Sequence, residues 1–249
     1  MTRFAHYYAF SLGTIVRDWA FLLFIIAMPV TMYLFFSAIY VTGTTEEDAF
    51  VSAIMMITMA TYGGLGAAMN AGSSIQSERS SGWFRTLMLT PLQPAEFVGA
   101  KVLTAVTVVM PALLVVFAAG ILRGVRLDLD VWAATFVLLL VALLPMVLLG
   151  LAIGLLFKPQ TASAVTTLVM LALSMVGGLW VPLEAMPAAM QTLGRLTPSY
   201  WAGQIGSWPL VGGDFPWQGV RVIVVWSVLL LAAGAISYRR AVRTSRRSN

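Results

Sequence analysis

Cysteine is absent from the 249 residues, which excludes disulfides, iron–sulfur clusters and thiolate chemistry. Charge is almost as scarce: 10% of the residues are charged and 59% are hydrophobic. A soluble domain carries about a quarter of its residues as charges. One aqueous core could not hide this much apolar side chain, so lipid is the solvent that fits. Histidine occurs once, as His6, and no HExxH or other metal-ligand grouping is present. Without a histidine in the apolar runs, no serine there has a base to activate it. The lysines are Lys101 and Lys158, and neither follows the glycine pattern that cradles phosphates. The chain therefore does not read as an enzyme, and ATP-driven work would need a separate nucleotide-binding subunit.

What is present is a series of long apolar runs. Spans are expected at about 20–41, 49–75, 98–121, 132–157, 161–180 and 220–238, giving an all-α integral membrane protein with six transmembrane helices. Pro29, Pro111 and Pro145 fall inside runs as expected kinks. Ahead of the first run, residues 1–19 place Phe4, Tyr8, Leu12, Ile15 and Trp19 at helical spacing, with Arg3, Thr14, Arg17 and Asp18 mostly elsewhere. That pattern reads as an interfacial amphipathic helix, with a frayed leader as the alternative. Gly150 and Gly154 have the GxxxG spacing of close helix packing.

Charge placement gives an orientation. With both termini cytoplasmic, Arg3, Arg17, Arg79, Arg85, Lys101, Lys158 and the tail Arg239, Arg240, Arg243, Arg246 and Arg247 share the inner side. Arg123, Arg126, Arg195 and Arg221 take the outer one, as the positive-inside rule favours. The net charge of +5 thus marks topology and anionic-lipid contact rather than nucleic acid. Every Asp and Glu can be assigned to a loop or an interface, which leaves ion-coupled transport without an intramembrane carboxylate.

Two stretches are neither spans nor plain loops. Residues 77–89 place Trp83, Phe84, Leu87 and Met88 on one helical face, a short amphipathic cytoplasmic helix ending before Pro91. It is the natural handle for an ATPase. Residues 181–217 are rich in Trp, Tyr and Pro and read as re-entrant helices at the outer face, with an ordinary folded loop as the alternative.

Across essentially the whole chain the sequence resembles the ABC-2 type permeases, the membrane subunits of ATP-binding-cassette exporters. The resemblance is sharpest at Glu78, Arg79, Gly82, Leu87, Pro91 and Leu92, after the second span. In that family the pattern forms a coupling helix that docks in a cleft of the ATPase. Here Trp83, Phe84 and Arg85 stand where many relatives carry an acidic residue.

The resemblance implies a cell-membrane protein with two ATPase partners, which bind ATP and Mg, and a second copy or a sister permease. In the docking role Trp83, Phe84 and Leu87 act as apolar anchors, with Glu78, Arg79 and Arg85 at the rim. Helix capping is the simpler reading of Glu78. The expected pathway lies on spans two and five, near Met55, Met59, Tyr62, Asn70, Thr166, Met170 and Ser174, where ordinary helix packing is the alternative. The expected cargo is a hydrophobic drug, antibiotic or lipid-like molecule. A polysaccharide or lipid-linked glycan exporter, or a structural or signalling membrane partner, are the other readings.

Overall fold

The computed structural model describes residues 3–17, 19–41, 43, 45–80 and 94–247, and every regular element among them is helical. In chain order these are α1 (Arg3–Val16), α2 (Trp19–Tyr40), α3 (Glu46–Ser73), α4 (Ile75–Ser80), α5 (Pro94–Leu122) and α6 (Leu129–Ala142). There follow α7 (Leu144–Leu156), α8 (Pro159–Val176), a 3₁₀ turn (Leu183–Ala185), α9 (Ala188–Gly194), α10 (Pro198–Val211) and α11 (Trp217–Arg247). Among the described residues, four stretches are long and apolar enough to cross a membrane: Glu46–Ser73, Gly99–Leu122, Leu129–Leu156 and Trp217–Gly234. They meet the second, third, fourth and sixth expected spans. The first and fifth meet shorter apolar helices, Ile25–Tyr40 and Gln160–Val176.

Where boundaries differ from the sequence reading, a local cause is visible. Glu46, Glu47 and Asp48, which fall between the first and second expected spans, open α3. Thr45 Oγ1 accepts from the Asp48 backbone N–H and Asp48 Oδ2 accepts from the Thr45 N–H, both at 3.1 Å, a reciprocal capping box. Three carboxylates in the first turn also complement the positive end of the helix dipole. The fourth expected span is divided at Leu143 into α6 and α7. Pro145 has no N–H to return to the preceding turn, so the helix restarts there. Helix α8 stops at Val176 because Gly177 and Gly178 follow, Gly178 with φ +72°. The last helix does not end at Tyr238 but continues through the arginine-rich tail to Arg247.

Helix α1 turns one side into the protein. Tyr7, Ser11 and Ile15 are buried, an i, i+4 row, while Tyr8 and Leu12 are half-buried. Residues 181–217 are largely helical, with Trp201, Ala202 and Ile205 of α10 buried against the core. Thr197 caps α10 by accepting from the Tyr200 N–H at 3.3 Å, and Pro198 supplies the fixed φ of its first turn.

The centre of the molecule is α3, which packs against α2, α5, α7, α8 and α10. Nearly every residue from Met59 to Ser73 is buried. Its small residues let neighbours approach to backbone contact. A Cβ at Gly72 would collide with Val147 O of α7, and one at Gly150 with Met69 O of α3. Gly154 faces Ser73 in the same seam, so the GxxxG pair is a packing surface. Across α2 and α3, the buried hydroxyls of Tyr33 and Ser52 share a hydrogen bond of 2.9 Å.

Candidate functional site

Two features stand out from this frame, an apolar cavity and a buried polar cluster. The cavity, of about 610 Å³, lies between the C-terminal end of α2, the N-terminal half of α3, the segment 177–185 and α10. Its walls include Phe36, Met55, Met59, Trp180, Tyr200 and Gln204. Exposed Tyr40, Phe50 and Val211 also line it, so its rim reaches the protein surface. The Trp180 ring meets Tyr62 edge-on, centroids 5.5 Å apart, and its buried Nε1–H has no hydrogen-bond partner among the described residues. A buried indole donor without an acceptor is costly. Glu184 and Gln204 add exposed polar groups to the lining. Apolar walls with a few polar groups suit a molecule of drug size.

The expected pathway residues separate in this geometry. Met55 and Met59 line the cavity, and Tyr62 lies behind its wall against Trp180, donating its hydroxyl proton to Met28 Sδ at 3.3 Å. The other four lie outside the cavity lining. Met170 packs at Gly66. Asn70 donates to Gly66 O at 2.9 Å and Ser174 to Met170 O at 2.7 Å, so both spend their polar groups on their own helices. Thr166 is buried with no partner for its hydroxyl among the described residues. Phe36, Trp180, Tyr200 and Gln204 were not anticipated. Three of them come from stretches other than spans two and five: Phe36 from α2, and Tyr200 and Gln204 from α10, which follows the turn at Gly177–Gly178.

The polar cluster lies where α1, α4 and α5 converge. Lys101 of α5 is fully buried and Glu78 of α4 is 3% exposed. The Lys101 ammonium donates to Glu78 Oε1 at 2.5 Å, Ser11 Oγ at 3.0 Å and Ser74 Oγ at 3.1 Å. All three donors of the ammonium are thereby used. Tyr7 OH donates to Glu78 Oε2 at 2.8 Å, and the Tyr7 ring lies 5.7 Å from the ammonium, within cation–π range.

Glu78, read from the sequence as a docking-rim or capping residue, is turned into the protein here, and Lys101, counted among the inner-side charges, is buried against it. The reason is mutual: each charge is the other's counter-ion, and the hydroxyls complete the shell. A lone lysine in an apolar helix was the signal that could have revealed the pair. Of the remaining docking candidates, Arg79 belongs to α4, while Gly82, Trp83, Phe84, Leu87 and Pro91 lie outside the described residues.

Comparison with known proteins decides the family, since the ABC-2 type transporter profile matches residues 6–211. The chain belongs to the ABC-2 type transporter family. The match takes in α1 through α10, and so both the cavity and the polar cluster. A relative from Bacillus subtilis (strain 168), "Putative transport permease YvfS", is 30% identical over 220 residues, which cover 87% of this chain and 89% of that protein. As an ABC-2 permease the chain is a membrane subunit of an ABC transporter, and membership implies association with ATPase subunits.

Proposed function

We propose that this chain is the permease subunit of an ATP-driven exporter that moves an amphipathic, mostly apolar molecule, a drug, antibiotic or lipid, out of the cell. The observation that carries the reading is the cavity of about 610 Å³, walled by Met55, Met59, Phe36 and Trp180. Methionine and aromatic walls adapt to varied apolar shapes. A long glycan would instead need many hydrogen-bonding groups along its path.

The proposed layout has six spans, with α2 and α8 joining the four longer stretches, both termini in the cytoplasm of a bacterial cell and residues 181–217 at the outer face. Two ATPase subunits bind ATP and Mg, and a second permease copy or a sister chain completes the path. Segment 77–89 receives the ATPase, with Trp83, Phe84 and Leu87 as apolar anchors. The test is to purify this chain with the ATPase encoded beside it, reconstitute the pair in nanodiscs and measure hydrolysis with a panel of lipophilic compounds. Stimulation that is abolished by Trp83→Asp supports the proposal. A complex that ignores every lipophilic compound but responds to a lipid-linked glycan would overturn the cargo, and failure to bind the ATPase would overturn the function.

A further inference from the structure

The two members of the buried ion pair flank one stretch of chain. Glu78 sits in α4, immediately before residues 81–93, and Lys101 sits in the second turn of α5, immediately after them. Their bond therefore staples both stems of the segment read above as the ATPase handle. Helix α1 is bonded to each stem separately, through Tyr7 to Glu78 and through Ser11 to Lys101. Ser74, at the C-cap of α3, closes the set by accepting from the same ammonium.

We propose that Glu78, Lys101, Tyr7 and Ser11 form a fixed joint that makes α1, α4 and the first turns of α5 move as one body when the segment between them is displaced. Lys101 is then a positioning residue for energy coupling, although it touches neither cargo nor nucleotide. The argument is geometric. A loop whose stems are free can hinge and absorb a push. A loop whose stems share a desolvated ion pair passes that push to whatever else the pair holds. Here the pair holds the N-terminal helix and α5, and α5 packs along the central helix α3. The joint rests on the reading of 77–89 as the ATPase handle only for the origin of the push. Its rigidity is a property of this chain alone.

The cysteine-free sequence permits a direct test. Ala9 on α1 and Leu103 on α5 are both exposed, so a spin label at each, introduced as Ala9→Cys and Leu103→Cys, reports the distance across the joint by pulsed electron resonance. In the complex with its ATPase, the proposal expects the same distance without nucleotide and with ATP trapped, and transport of the stimulating compound in proportion to ATP hydrolysed. Lys101→Met should broaden the distance and cut transport per ATP by about tenfold, within the usual range of coupling between sites. Exchanging the charges, Glu78→Lys with Lys101→Glu, should restore both.

A shift above about 2 Å on ATP trapping in the unmodified joint exceeds ordinary helix adjustments and would overturn the proposal. So would a Lys101→Met chain that keeps a narrow distance and full coupling. Should no ATPase bind at all, the exporter reading fails, while the distance measured with and without Lys101→Met in the isolated chain still decides whether the joint is rigid.

Discussion

Replacing Gly150 with alanine tests the seam at the heart of the fold. The added methyl would meet the backbone carbonyl of Met69, and backbone inside a helix cannot rotate aside as a side chain can. Relief requires α3 and α7 to separate locally by about 0.5–1 Å, which forfeits a quarter to a half of each dispersion well. If roughly 20 atom pairs at the crossing loosen, at ~0.1–0.2 kcal/mol each, the loss is about 1 kcal/mol. Residual overpacking strain adds ~1–3 kcal/mol. Alanine's better helix propensity returns about 1 kcal/mol. The net expectation is a destabilisation of ~1–3 kcal/mol, a melting temperature lower by roughly 3–10 °C at this chain length.

Tryptophan fluorescence during heating in detergent reads the transition, and Gly13→Ala in α1 is the control. Its new methyl would meet nothing within 4 Å, so it should raise the midpoint slightly. Gly72→Ala should resemble Gly150→Ala, and the double variant should lose less than both together, because helices already parted accept the second methyl more cheaply. A Gly150→Ala protein that melts at or above the unmodified chain would refute the close α3–α7 contact.

Lys101→Met alone should cost about 3–5 kcal/mol of stability by stranding a buried carboxylate, whereas Glu78→Gln with Lys101→Met should recover most of it; thermal unfolding of these two variants and of Glu78→Gln alone reads the cycle, and additive losses would deny the pair. Met59→Ala should change which lipophilic compounds stimulate the reconstituted ATPase while the complex still assembles. A response profile identical to that of the parent across several compounds would remove Met59 from the proposed path.

The membrane class and the positions of the longest helices were legible because they depend on composition and run length, which survive any error in face assignment. The Gly150–Gly154 packing signal was legible for a similar reason: small residues at that spacing have few other uses in an apolar helix. The division at Leu143 could be read only in part, since Pro145 announces a kink but not whether a helix bends or restarts. Glu46, Glu47 and Asp48 look like a polar turn until the Thr45 capping box is recognised, and then the same residues become a helix start.

The ion pair was missed because its members are 23 positions apart and each alone suits an interface. Pairing is a tertiary fact, and it reverses the cost of burial that made both look peripheral. The cavity was half legible: Met55 and Met59 follow from helical spacing, but Trp180 and Tyr200 reach the same space only through a reversal of the chain.

That reversal shapes how such a protein can diversify. Helices supply three sides of the cavity, and α3 among them is held in place by backbone-to-backbone contact. The fourth side, residues 177–185, is chiefly a strap of turns that begins at two glycines and ends in a single 3₁₀ turn. Leu179 and Leu183 of the strap are buried in the core, but Val181, Glu184 and Ala185 line the cavity from exposed positions, so exchanging one of these three alters the shape offered to a guest without touching the helix seam. Selection on cargo can therefore act on a short, replaceable stretch of chain, while the α3–α7 seam stays closed to all but the smallest residues.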